Sequence, residues 1–306
     1  MKYLITIVGP TAIGKTSWSI ILANYFNCEI LSCDSRQFFK EMSIGTAVPS
    51  ISELAAAKHH FIKNKSVFEN YTVGDYEKEA LSKLEELFLT NDYAILVGGS
   101  GLYVDAILKG FDEFPEIDTS VRTAVNSNYE KLGIGYLQQK LQELDPTYYA
   151  VLNLENPQTL QNPQRMMRFV EVCLGSGKPY SSFLNQKEKT RNFTPILIGL
   201  EADRKIIYNR INQRVDTMMS EGLLAEAKKL YAHRDLNALQ TVGYRELFSY
   251  FDHAISLEFA IEEIKKNTRR FSKRQLTWFK RNEKTKWFDF ETPIEKVISY
   301  INSIKQ

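Results

Sequence analysis

Apolar positions along the chain fall into two rhythms. Short, mostly apolar runs at residues 5–8, 28–33, 93–97 and 195–200 read as strands, of which 93–97 and the first are expected to be buried on both faces. Between them apolar residues recur every three or four positions. Ala80, Leu81, Leu84 and Leu87 do so over residues 76–89. That is the period of a helix with one buried face. An earlier segment carrying Trp18, Ile20, Ile21 and Leu22 also reads as helix. Strands alternating with helices predict an α/β fold around a parallel sheet.

The texture changes at Phe111. Polar, Tyr- and Gln-rich helical segments cover residues 136–144 and 152–174, broken by Pro146, Pro157 and Pro163, and no strand-length β-branched run occurs before the strand at 195–200. This predicts an inserted helical domain, 111–192, within a core of 1–110 and 193–306. Residues 42–50 read as a loop, with Ser52 capping a helix that begins at Glu53. His59 and His60 project differently on any regular element, so they read as structural hydrogen-bonding residues. Late in the chain Ile261, Ile264, Thr268, Phe271, Gln275 and Trp278 recur at helical steps and predict one packed face.

The first strand runs into Gly9-Pro10-Thr11-Ala12-Ile13-Gly14-Lys15-Thr16 and then a helix. Two glycines that bracket four residues and precede Lys-Thr match the phosphate-loop spacing. In such a loop the backbone N–H groups point inward and the helix N-terminus adds positive potential. Lys15 supplies a mobile charge, and the Thr16 hydroxyl can hold magnesium. The loop is expected to take phosphate; the pattern does not say whose.

Residues just past strand C-termini line the crevice of an open parallel sheet. Asp34-Ser35-Arg36-Gln37 follows the second strand. Asp34 therefore either faces the phosphate loop, as proton acceptor or magnesium ligand, or caps the next helix. The third strand ends in Gly98-Gly99-Ser100-Gly101, which either brings backbone close to a ligand or makes a plain tight turn. P-loop hydrolases carry an acid near such a strand end to hold magnesium, so the glycines and Ser100 argue against a motor ATPase. Beyond the fourth strand, Arg214 is expected to reach phosphate, whereas Arg204 and Arg210 read as solvated.

Composition adds limits. The 306 residues are 43% hydrophobic and 25% charged, ordinary for a globular protein. Cys28, Cys33 and Cys173 show no metal-ligand spacing and fit a reducing compartment. No signal or membrane-spanning run appears, which predicts a cytoplasmic protein without membrane contact. The net charge of +2 is unevenly spread: residues 265–286 hold ten Lys or Arg against the single acid Glu283. A basic face with Phe271, Trp278 and Phe279 suits RNA, and a merely solvated face is the alternative. In the insertion, Gln164-Arg165-Met166-Met167-Arg168 puts Arg165 and Arg168 on one helix side.

Taken in order, these motifs resemble the tRNA dimethylallyltransferases, or tRNA isopentenyltransferases, of bacterial type. The resemblance rests on residues 9–16, 34–37, Ile44-Gly45-Thr46-Ala47, Gly98-Gly99-Ser100-Gly101-Leu102-Tyr103, Asn162-Pro163-Gln164-Arg165, Arg214-Val215, Val242-Gly243-Tyr244-Arg245-Glu246 and Lys273-Arg274-Gln275-Leu276-Thr277-Trp278. It implies a P-loop NTPase-like core with a helical insertion, acting as a monomer on the tRNA anticodon stem-loop. Dimethylallyl diphosphate would prenylate the exocyclic amine of an adenosine beside the anticodon, with Mg2+ as cofactor. The catalytic residues implied are Asp34, Ser100 and Arg214, with residues 9–16 on the diphosphate and Thr16 on the metal, Asp34 joining it. Contacts to tRNA would come from Asp34, Ser35, Arg36, Gln37, Arg122, Gln164, Arg165, Met166, Met167, Arg168, Lys273 and Arg274, with Gln37 reading an adenine edge. The chain departs from the family pattern at Ser100 for threonine, Val48 for lysine and Lys58 for proline. An adenylate isopentenyltransferase, a small-molecule P-loop kinase and an RNA-binding protein with a vestigial loop are the competing readings.

Overall fold

The computed structural model describes residues 1–184 and 189–304. The chain divides into two compact units: one joins Met1–Lys109 to Thr190–Gln306, and the other is Gly110–Lys189. The sequence places the insertion at 111–192, and the helical unit ends three residues earlier.

The larger unit is built on a parallel sheet of six strands: β1 (Tyr3–Val8), β2 (Ile30–Ser32), β3 (His59–His60), β4 (Tyr93–Val97), β5 (Thr194–Glu201) and β6 (Lys286–Asp289). Their spatial order is β3-β2-β4-β1-β5-β6. Ile5 of β1 is level with Ile95 of β4 on one side and Ile196 of β5 on the other. Alternate side chains of β1 serve opposite faces. Tyr3, Ile5 and Ile7 pack with Leu22, Ile207 and Val297, while Leu4 and Val8 pack with Leu84, Val104 and Ile107. A third cluster joins Val215, Leu223, Tyr244, Leu247 and Ile264 on the helices that follow β5.

Several local expectations change. The second strand is the short Ile30–Ser32. Ser50, not Ser52, caps the helix Ile51–Ala56: its hydroxyl accepts the Glu53 N–H while Glu53 accepts the Ser50 N–H. Thr72 and Asp75 close the same box on Val73–Thr90, which begins three residues before the predicted Tyr76. β3 and β6 carry no apolar run and lie at the sheet edges, where half of the backbone is unpaired and the side chains are only partly covered. His59 Nδ1 pairs with the Ala57 carbonyl at 2.8 Å and His60 Nε2 with Glu29 at 2.5 Å.

The long helix Leu257–Phe279 buries Ala260, Ile264, Ser272, Gln275 and Phe279. Phe271, expected on that face, is exposed and lies against the Arg274 guanidinium at 5.7 Å. No helix among the described residues is long and apolar enough to cross a membrane.

In the helical unit, Pro146 and Pro163 open the helices Pro146–Glu155 and Pro163–Ser176. A first-turn proline has no bond to lose and a suitable φ. The predicted 152–174 segment is thus two helices separated by Pro157–Gln161.

Candidate active site

The phosphate loop leaves β1 at Gly9, whose backbone presses on β5. A Cβ there would lie 2.6 Å from the Leu200 carbonyl oxygen, and φ is +148°. Gly14 takes a left-handed conformation and opens the helix Lys15–Phe26. Ala12 and Ile13 bury their side chains in the core, so this part of the loop offers backbone N–H groups. Lys15 Nζ folds back to donate to the carbonyls of Gly9 at 3.1 Å and Pro10 at 2.8 Å.

Two arginines of the helix Arg204–Ser220 meet this loop. Arg214 Nη1 donates to Thr11 Oγ1 at 3.4 Å. Arg210 Nε donates to the Ala12 carbonyl at 2.7 Å, and its guanidinium lies 5.2 Å from the Phe290 ring. That corrects the reading of Arg210 as solvated; a lone arginine in a polar helix gives no sign of what it faces. Arg204, by contrast, stays exposed with Nε on Tyr208 Oη.

Asp34 lies past the end of β2 and accepts the Arg36 N–H at 3.2 Å, an intraloop bond at its own turn. Desolvation raises its pKa above the ordinary carboxylate value. The Arg36 amide and the charges of Lys15, Arg36 and Arg214 oppose that rise. Lys15 moves the other way: burial and, less strongly, Arg214 lower its pKa to about 8 against the pull of Asp34. Asp34 and Lys15 therefore share one electrostatic environment.

Ser100 joins them through Ser35. Its hydroxyl accepts the Ser35 N–H at 3.0 Å and pairs with the Ser35 hydroxyl at 3.0 Å. The preceding Gly98 fits so tightly that a Cβ would lie 2.6 Å from Cys33 Sγ and 2.9 Å from the Asp34 nitrogen. The glycine-rich turn thus abuts the strand end that presents Asp34.

Arg36 Nη1 reaches the carbonyls of Asn237 and Ala238. Gln37 Nε2 donates to the carbonyls of Thr46 and Ala47, and its oxygen accepts the Ser32 hydroxyl. The half-buried Gln37 amide thus shapes its own loop.

The long helix contributes a residue that the sequence reading assigned to packing alone. Gln275 accepts the Thr11 N–H at 2.8 Å and donates to the Gly99 carbonyl at 2.9 Å. Glu226 was also missed. Its carboxylate accepts the N–H groups of Ser43, Ile44 and Gly45, each at 2.9 Å, and the Tyr244 hydroxyl at 2.6 Å. A polar residue on an otherwise packed helix face was the available signal for Gln275. Nothing local marks Glu226.

The remaining expected contacts are distributed. Lys273 and Arg274 are exposed on the long helix. In the helical unit Arg122 and Arg168 both pair with Glu171, Arg165 donates to the Thr159 hydroxyl, and Gln164 is exposed. Met166 is fully buried beside Leu137 and Val170, which removes its side chain from any tRNA-facing surface; Met167 is partly covered by the same cluster.

Oxygen donors suited to magnesium are present in the Thr16 hydroxyl and the Asp34 carboxylate. Among the described residues no group of three or more His, Cys, Asp or Glu could hold a metal.

A loop of phosphate-loop sequence at the end of a parallel strand, gathered with a carboxylate, a hydroxyl and an arginine, defines an α/β protein with a P-loop NTPase-like core. A family model described as IPP transferase matches residues 37–282. The tRNA dimethylallyltransferase of Flavobacterium johnsoniae is 77% identical over 301 residues, 98% of this chain and 97% of the relative. That of Flavobacterium psychrophilum is 70% identical over 303 residues, 99% of each. The solved tRNA isopentenylpyrophosphate transferase of Bacillus halodurans matches with a TM-score of 0.71 at 35% identity, over 99% of this chain and 95% of that one. Its counterpart from Staphylococcus epidermidis gives 0.70 at 31%, over 99% of both. The chain belongs to the IPP transferase family, as a bacterial member among the tRNA dimethylallyltransferases.

Proposed function

We propose that the protein transfers a dimethylallyl group from dimethylallyl diphosphate to the exocyclic N6 of the adenosine on the 3′ side of the anticodon in tRNA, releasing diphosphate. The observation that carries this reading is the meeting of a phosphate cradle with a carboxylate of raised pKa. Breaking the allylic carbon–oxygen bond puts negative charge on diphosphate, where the loop N–H groups, Lys15 and Arg214 stabilise it. The N6 nitrogen bonds to the freed carbon, and the proton it sheds passes to Asp34. A carboxyl whose ionised form is disfavoured by desolvation holds that proton readily.

Ser100, fixed against Ser35, offers a hydroxyl to the diphosphate or the reacting region. Thr16, with Asp34, would hold Mg2+, which when bound screens the charge of the leaving group. The adenine must leave its stack to reach this site. Arg122, Gln164, Arg165, Met167 and Arg168 of the helical unit, with Ser35, Arg36, Lys273 and Arg274, hold the anticodon stem-loop. A cytoplasmic monomer belongs to the same reading. Labelled dimethylallyl diphosphate offered separately with tRNA, AMP and ATP tests it. Label on tRNA supports the proposal, and label on AMP or phosphoryl transfer from ATP refutes it.

A further inference from the structure

Gln275 is 5% exposed on a helix face that it shares with Ala260, Ile264, Ser272 and Phe279. A buried carboxamide must find partners, and here both ends do: its oxygen takes the Thr11 N–H and its nitrogen the Gly99 carbonyl, at 2.8 and 2.9 Å. The orientation of the amide follows from those partners, because Thr11 N can only donate and Gly99 O can only accept. Gly99 is matched to the arrangement, since a Cβ there would lie 2.1 Å from Gln275 Nε2.

The two bonded segments are the two working loops of the site. Thr11 belongs to the phosphate loop and also receives Arg214. Gly99 directly precedes Ser100, which holds Ser35, the neighbour of Asp34. Strand pairing fixes these loops only up to their roots, where Ile7 is level with Val97. Beyond the roots, Gln275 is a direct tie from one loop to the other, supplied by a residue 264 positions from Thr11 and 176 from Gly99.

We propose that Gln275 is a positioning residue that sets the register between the diphosphate cradle and the Asp34–Ser100 pair; the proposal rests on the prenyl transfer described above. Attack on the allylic carbon needs the amine, the carbon and the leaving oxygen aligned, and a misplacement of about 1 Å costs on the order of a hundredfold in rate. Diphosphate affinity rests chiefly on Lys15, Arg214 and the loop N–H groups, and Gln275 bonds to neither cation, only to the Thr11 N–H and the Gly99 carbonyl. Loss of the tie therefore lowers kcat and spares binding.

Gln275→Met keeps length and burial while removing both hydrogen bonds. With labelled dimethylallyl diphosphate and tRNA, kcat should fall roughly 30- to 100-fold while KM for dimethylallyl diphosphate stays within about threefold of wild type. Inorganic pyrophosphate should bind as before by calorimetry. Gln275→Glu adds a pH readout. Its carboxylate still accepts from Thr11 but opposes the Gly99 carbonyl, and a proton restores the missing donor. Its rate relative to wild type at each pH should rise as pH falls.

Gly99→Ala displaces the carboxamide without altering the helix and should give the same selective loss of kcat. An unchanged kcat in Gln275→Met or Gly99→Ala overturns the proposal. So does an equal loss of pyrophosphate affinity and kcat, or a pH-independent ratio for Gln275→Glu. If Gln275→Met fails to fold by circular dichroism, the Gly99→Ala kcat decides. Failure of the wild-type enzyme to label tRNA would instead refute the prenyl transfer itself, and this proposal with it.

Discussion

The Tyr244 hydroxyl donates to Glu226 at 2.6 Å, and the same carboxylate gathers three successive N–H groups at Ser43, Ile44 and Gly45. One side chain thereby organises a loop that lies some 180 residues away in the chain. Glu226→Gln removes the charge and leaves a single accepting oxygen for four donors. It should cost about 2 kcal/mol of stability in denaturant unfolding. Tyr244→Phe, which removes one donor, should cost about 1 kcal/mol. Equal, negligible effects would mean that water replaces the carboxylate without loss.

The opposed shifts of Asp34 and Lys15 define a pH window. Asp34 accepts a proton only when ionised, so kcat/KM should fall as pH drops through its raised pKa. Lys15 binds diphosphate as the cation, so kcat/KM should also fall as pH rises past about 8. Bound diphosphate favours the charged lysine, so this alkaline limb should weaken in kcat alone. Asp34→Asn should abolish the acid limb with most of the turnover while pyrophosphate still binds. A kcat/KM profile with no acid limb would contradict the Asp34 assignment, and one that does not fall past about pH 8 would contradict that of Lys15.

Gly98 offers a steric test of the same corner. Its missing Cβ would meet Cys33 Sγ at 2.6 Å, the Cys33 carbonyl carbon at 2.8 Å and the Asp34 nitrogen at 2.9 Å, two of them backbone atoms that cannot swing aside. Gly98→Ala should therefore move Asp34 and lower kcat by roughly tenfold or more. Wild-type kcat in a folded variant would show that the strand end adapts without disturbing the base.

The exposed basic side of the long helix is tested by salt. Lys273 and Arg274 project to solvent on adjacent positions of that helix. Replacing Lys273 and Arg274 with Gln should weaken tRNA binding and reduce the slope of log K against log salt by about two. An unchanged slope would mean that the two charges face only water.

The parts of the site legible in the sequence are those whose residues are neighbours in the chain. The phosphate loop is one contiguous segment, and Asp34 and Ser100 follow apolar runs that mark strand ends. Gln275, Arg210 and Glu226 were not legible as site residues, because their partners lie 264, 198 and about 180 residues away. The strands at the sheet edges escaped for another reason. His59–His60 is too short to show a pattern, and Lys286–Asp289 sets only the pair Trp287-Phe288 between two charged ends at a half-covered edge.

Gly9 rests on the carbonyl of Leu200, and β1 has β5 as one of its two neighbours. During synthesis, the first hundred residues can pair β1 with β4 but leave its other edge bare until the ribosome has made the whole helical unit and β5. Arg210, Arg214 and Gln275 emerge later still. The oldest part of the nascent chain is therefore among the last to gain its working shape, and a polypeptide arrested before Thr194 would carry the phosphate-loop sequence with an open strand edge that chaperones must shield.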